Sequence, residues 1–261
     1  MNTSLTGKQA VICGSTQGIG WAAAMELAEL GAHCLLLARN EDSLKKAVAA
    51  LPGTGGQEHR YAVADFSDPG QVREVIKKIA ETVTVEILVN NSGGPKAGPI
   101  IEASAESFES AFRQHLICNQ VLAQALIPGM KKRGYGRIIN IISTSVKTPL
   151  ANLGVSNTIR LAVASWAKSL SNEVGQYNIT VNNVLPGLTE TGRLQTLIRQ
   201  TAGSENKEVK TVEDQMIQSI PMKRFGSAAE IAQVIAFLAS PAASYVNGTN
   251  IAVDGGRTSA L

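Results

Sequence analysis

The stretch VICGSTQGIGWAAAMELAELGA, residues 11–32, decides how this chain is read. It runs from an apolar β-type segment through Gly14, Gly18 and Gly20 into a segment with helical periodicity. Glycine allows a tight turn and a close backbone approach, so amides at the helix start can face a pyrophosphate. Three glycines can also mark nothing more than a turn and close helix packing, so the surrounding pattern has to decide.

That pattern is an alternation of short β-rich runs with longer helical segments, which calls for parallel strands covered by helices on both faces. Strands are expected near 8–13, 33–38, 60–64, 86–90, 136–142, 178–184 and 249–253, and helices over 18–30, 41–50, 68–82, 104–133, 153–176 and 227–239. Asp68, Ser104 and Ser227 are placed to cap helix starts, and Gly134 to stop the helix that ends in MKKR. No linker or repeat divides the 261 residues, so the expectation is one α/β domain, a doubly wound Rossmann-type sheet of seven parallel strands. The long interval 188–226 between the sixth strand and the last helix is expected to form a substrate lid.

Bulk properties narrow the function. A net charge of +3, from 24 basic and 21 acidic residues without a run of like charge, gives no nucleic-acid footprint. No 18-residue apolar run and no cationic-then-apolar leader is found, so neither a membrane span nor export is expected. Cys13, Cys34 and Cys118 lack metal or disulfide spacing, which points to reduced buried thiols and a cytoplasmic, soluble protein. His33 and His59 show no ligand spacing, and no catalytic metal is expected.

Arg39 follows the second strand where an acidic residue would hold the ribose 2′-hydroxyl of NAD. Its charge and planar fork of donors suit a 2′-phosphate instead, so the cofactor is expected to be NADP(H).

Several separated motifs extend this reading: GSTQGIG at 14–20, ADFSD at 64–68, NNSGG at 90–94, GRIINIIS at 136–143, NNVLPGLTET at 182–191 and YVNGTNIAVDGG at 245–256. With them the chain resembles the short-chain dehydrogenase/reductase family, compact type, and within it the 3-oxoacyl-acyl-carrier-protein reductases. The resemblance implies that Gly14, Ser15, Gly18, Ile19 and Gly20 belong to the cofactor turn and that Asp65 and Phe66 flank the adenine. It also implies that Asn90 and Ser92, Gly93 and Gly94 lie against the cofactor, and that Pro186, Gly187 and Thr191 meet the nicotinamide end. A homotetramer or dimer is implied as well.

The same alignment shows where the chain departs from its family. A serine that steadies the substrate oxygen is kept as Ser143, but the family's tyrosine and lysine fall on Ser156 and Arg160, and its asparagine on His115. The spacing of four keeps Ser156 and Arg160 on one helical face while the acid–base chemistry changes. A serine hydroxyl is a far weaker acid than a phenol of pKa about 10, and arginine does not pass protons on. His115 is the leading substitute donor, to a carbonyl or alcohol substrate, and Lys147 the second. Two other readings stay open at this level: a cofactor-binding regulator or scaffold without turnover, and a non-redox lyase similar to halohydrin dehalogenases.

Overall fold

The computed structural model describes residues 1–53 and 55–260. Seven strands, β1 Gln9–Cys13, β2 His33–Ala38, β3 Arg60–Val63, β4 Ile87–Asn90, β5 Gly136–Ile141, β6 Ile179–Pro186 and β7 Asn250–Val253, form one parallel sheet in the order β3-β2-β1-β4-β5-β6-β7. Each lies within about two residues of its sequence expectation. The chain leaves β1 toward β2 on one side and returns to β4 on the other, so a crevice opens between β1 and β4 at their C-terminal ends.

Parallel strands buried on both faces read as continuous apolar runs, and β1 shows why. Its alternate residues feed two cores: Ile12 joins Leu36, Ile87 and Ile139, whereas Val11 joins Leu37, Leu88 and Ile138. The first face is covered by α1 Gly18–Glu29, α2 Glu41–Ala50 and α9 Ala228–Ala239 through Leu27, Leu44 and Ile235. The second is covered by α3 Pro69–Thr82, α5 Cys118–Arg133 and α6 Gly154–Val174 through Ile76, Leu122 and Ala167. Full burial of each such leucine or isoleucine contributes roughly 1.5–3 kcal/mol.

Local chemistry sets the helix ends. Asp68 accepts from the amides of Gly70 and Gln71, Ser104 from that of Ser107, and Ser227 completes a capping box with Glu230. Gly134 adopts the left-handed conformation (φ 60°) that ends α5. The three cysteines are buried and free. Among the described residues no helix is long and apolar enough to cross a membrane.

The expectation of one helix over 104–133 is corrected. Helix α4 spans Ala105–Phe112, a π-turn Arg113–Ile117, and α5 starts at Cys118. A single wide turn inside a helix re-aims the side chains around it, and here it buries His115 at 2% exposure.

The interval 188–226 is a helical hairpin, α7 Gly192–Glu205 and α8 Val209–Gln218, with its own small core of Leu194, Ile198, Val212, Ile220 and Phe225. Its two ends are tied together where Glu190 N donates to Gly226 O (2.8 Å) and Gly226 N to Leu188 O (3.0 Å).

Candidate active site

At the β1–α1 turn, Gly14 and Gly18 hold positive φ (57° and 56°), which side-chain-bearing residues rarely adopt. Gly20 does something different: a Cβ there would lie 2.2 Å from Gly14 O, so only hydrogen lets α1 close on the turn. The first amides of α1 receive no side-chain cap from Gln17, and its first turn carries no acid. The helix start thus presents free N–H groups, with no competing negative charge, to whatever enters. This suits the pyrophosphate of a dinucleotide.

A cleft of about 740 Å³ runs from this turn along the strand ends. Arg39, Asp65 and Phe66 line one end. Bonding from Ser67 holds the Asp65 carboxyl below its usual range, and the Arg39 charge adds to the effect. Arg39 itself is exposed and joins no ion pair among the described residues. An exposed guanidinium at this end fits a 2′-phosphate.

Gly14, Gly18, Ile19, Ser92, Gly93, Gly94, Pro186, Gly187 and Thr191 line the cleft as the resemblance implies. Three assignments are corrected. Ser15 is fully buried, its hydroxyl 3.5 Å from Leu37 O, and Gly20 acts by packing beneath the turn. Asn90 points away from the cleft into a ladder that crosses the sheet. Asn90 Nδ2 donates to Asn140 Oδ1 (2.8 Å), Asn140 Nδ2 to Asn183 Oδ1 (2.8 Å), and Asn183 Nδ2 to Asn250 Oδ1 (2.7 Å). The strand register makes these residues direct neighbours, so each amide donates to the next from the buried Asn90 to the exposed Asn250, while Asn90 Oδ1 is left buried without a partner. Asn91 takes the place given to Asn90: it lines the cleft and donates to Gly14 O at 3.1 Å. Asparagines in otherwise apolar strands were the signal for the ladder.

At the other end Ser143, Ser156 and Arg160 come together on the cleft wall. Ser143 Oγ accepts from Ser145 N (3.1 Å), which fixes the hydroxyl at the end of β5. Arg160 is almost fully buried; it donates to Ile141 O (2.7 Å) and reaches Ser92 O at 3.5 Å. Burial, and secondarily the Arg193 charge, pull its pKa down to about 10, so it stays cationic near neutrality. Lys147, half-exposed after β5, is not among the residues that line the cleft.

His115 sits behind Ser92, with Nδ1 2.7 Å from Ser92 Oγ, and its Nε2 is buried without a partner. Burial, with Arg160 adding like charge, lowers its pKa to about 2. Held neutral, His115 has no imidazolium proton to give near pH 7, and its ring meets the Ser92 hydroxyl rather than joining the lining of the cleft, which fits a positioning role in place of the expected proton donor.

A stability signature follows. The unfolded chain protonates His115 near 6.5 and the folded chain only near 2. Between these values the unfolded state binds more protons, so acidification costs stability by up to about 1.4 kcal/mol per pH unit. Urea midpoints measured from pH 7.5 to 4.5 are expected to fall less steeply in His115→Gln than in the parent. Equal slopes would contradict the buried neutral state.

Comparison with known proteins agrees with this geometry. Residues 14–258 match the family described as Enoyl-(Acyl carrier protein) reductase. The chain is 33% identical over 256 residues to the 3-oxoacyl-acyl-carrier-protein reductase of Vibrio cholerae, covering 97% of this chain and 98% of that one. It is 31% identical to dehydrogenase/reductase SDR family member 4 of Sus scrofa, covering 98% and 89%. The chain belongs to the short-chain dehydrogenase/reductase family. Among solved structures of the family, the L-sorbose reductase of Gluconobacter frateurii complexed with NADPH and L-sorbose superposes with a TM-score of 0.93 at 33% identity, over the whole of both chains.

Residues of this short-chain dehydrogenase/reductase that the sequence did not single out are Gln114, Arg193 and Arg257, which also line the cleft. They come from the π-turn, the first turn of α7 and the segment after β7, so nothing in local spacing announces them. Among the described residues no three His, Cys, Asp or Glu side chains are grouped to hold a metal.

Proposed function

We propose that this chain is an NADP(H)-dependent oxidoreductase that reduces a carbonyl compound, or oxidises the corresponding alcohol, without a phenolic acid. The observation that carries the reading is the single cleft joining the uncapped α1 amides and Arg39 to Ser143, Ser156 and Arg160. Two relatives support it: the Bacillus subtilis BacG, an NADPH-dependent reductase 29% identical over 256 residues, and the sorbose reductase with its NADPH.

In this reading Arg39 takes the 2′-phosphate, the amides of α1 the pyrophosphate, and Arg160 the nicotinamide ribose. When bound, the cofactor supplies a hydride to the carbonyl carbon. Ser143 and Ser156 offer hydroxyl donors to the carbonyl oxygen, and Ser92, braced by His115, offers a third nearby. The proton that completes the alcohol comes from solvent through these hydroxyls, which are weak acids, so proton delivery limits the rate. Arg160 contributes fixed positive charge where negative charge develops on oxygen. The helical hairpin, which lends Leu188, Leu194 and Leu197 to the cleft, acts as the substrate lid.

Calorimetric titration with NADPH and NADH, followed by assay of 3-oxoacyl thioesters and simple ketones, tests the reading. NADPH is expected to bind at least about tenfold more tightly, and Arg39→Asp to abolish or reverse that preference. Binding without turnover on any carbonyl would turn the reading toward a nucleotide-binding regulator, and no binding would end it. Assembly into a homodimer or homotetramer fits the exposed Phe112 and Leu161 on α4 and α6 and the fully exposed Tyr245, and sedimentation velocity reads it directly. A cytoplasmic setting fits the three buried free thiols.

A further inference from the structure

The cleft is unusually one-sided in charge at its reacting end. Arg160, Arg193 and Arg257 line it together with Ser143 and Ser156, while among the described residues the one carboxylate in its lining, Asp65, stands beside Arg39. None of the three arginines joins an ion pair among the described residues. Their hydrogen bonds go to neutral oxygens only. Arg160 bonds the carbonyls of Ile141 and Ser92, Arg193 Nη2 the carbonyl of Pro95 (2.7 Å), and Arg257 Nε the hydroxyl of Ser219 (3.2 Å).

Each guanidinium has five N–H donors in a fixed fork, so these contacts leave donors over on all three. Only Arg160 is buried, where a cation without a counter-charge is costly; Arg193, which is exposed, adds like charge to it, and Arg257 is half-buried, so the latter two are open to an entering anion. The cofactor phosphates do not relieve it, since they fall to Arg39 and the α1 amides, and the ribose given to Arg160 is neutral. Something anionic fits what remains.

From this, and resting on the reductase reading above, we propose that the physiological substrate is an anionic carbonyl compound, a keto acid. Its carboxylate is received by Arg193 and Arg257, and its carbonyl faces Ser143 and Ser156. Arg193 sits in the first turn of the lid helix α7 and Arg257 just beyond β7, so the carboxylate bridges the lid to the body of the domain. A guanidinium fork matches a carboxylate in shape and charge, whereas an ester or amide of the same acid offers neither the charge nor two equivalent acceptors. Leu150, Leu153 and Leu197 give the intervening carbon chain an apolar wall.

The experiment titrates 4-oxopentanoate and 5-oxohexanoate, and their methyl esters, into the full-length protein saturated with NADP⁺ in low-chloride HEPES. NADP⁺ carries no hydride, so binding is read apart from turnover. At least one acid is expected to bind about tenfold or more tightly than its ester. Arg193→Gln is expected to bring acid and ester to the same affinity while the NADPH dissociation constant stays within about twofold. Equal affinity of acid and ester, or no binding of either acid, overturns the proposal, as does an Arg193→Gln effect that falls on NADPH. If NADPH itself fails to bind, the reductase reading falls. The acids titrated into the protein alone then decide the arginine site: Arg193-dependent binding supports it, and its absence overturns it.

Discussion

Gly20→Ala is expected to lose the stabilisation that NADPH confers on the parent protein and to lower its melting temperature without any ligand. Position 20 is inside α1, where alanine is intrinsically preferred to glycine by about 1 kcal/mol, so propensity predicts a gain. The geometry overrides it. The new Cβ would sit 2.2 Å from Gly14 O and 2.6 Å from Asn91 Nδ2, both parts of the turn that faces the cleft. Helix and turn must separate, at a cost of about 1–3 kcal/mol, which corresponds to a drop of roughly 5 °C for a chain of this size.

The larger effect is on binding. Separation misplaces the free amides of α1, and a hundredfold loss of affinity would erase nearly all of the about 2.7 kcal/mol that ligand at 100 times Kd contributes. Thermal melts with and without NADPH read both quantities. Gly203→Ala, in α7 where the Cβ meets nothing, is the control and should leave the melt unchanged or raise it. An NADPH-induced shift surviving intact in Gly20→Ala would show that the turn does not bind the cofactor.

Ser156→Tyr is expected to raise kcat for carbonyl reduction by about 10²-fold, the lower end of what general acid catalysis contributes. The position already lies on the cleft wall, one helical turn before Arg160, so a tyrosine would direct its ring into the cleft near a fixed positive charge. That charge favours the phenolate and brings the phenol's pKa below its usual value of about 10, making it a better donor than any serine present. Because reduction needs the protonated phenol, the variant's kcat should fall as pH rises through this pKa, a limb the parent lacks. KM should move little. An unchanged kcat would mean that proton delivery by the three serines and solvent already keeps pace with hydride transfer.

These two positions show how unevenly the site was written into the sequence. Ser156 and Arg160 were legible because their spacing of four is a local property of a helix, preserved whatever the residues are. The glycine turn was legible for the same reason: positive φ at 14 and 18 is a demand of the chain on itself. The sequence could read His115 only by its identity. Its identity suggests a group titrating near neutrality, but a π-turn that periodicity does not announce buries it behind Ser92 and holds it neutral. Asn90 and Asn91 were confused because adjacent residues at a strand end face opposite ways, and register with Asn140 decides which one joins the ladder.

What the sequence determined by itself was the fold and the cofactor frame: strand and helix periods, capping residues and the glycine turn all act over a few residues, where local sterics and hydrogen bonding dominate. Tertiary structure alone decided the electrostatics of the reacting end. Arg160, Arg193 and Arg257 are far apart in the chain and ordinary one at a time. Packing removes water from around Arg160 and brings all three into the lining of one cleft, and desolvation and proximity, neither of them encoded locally, give it the positive charge on which the proposed anion site rests.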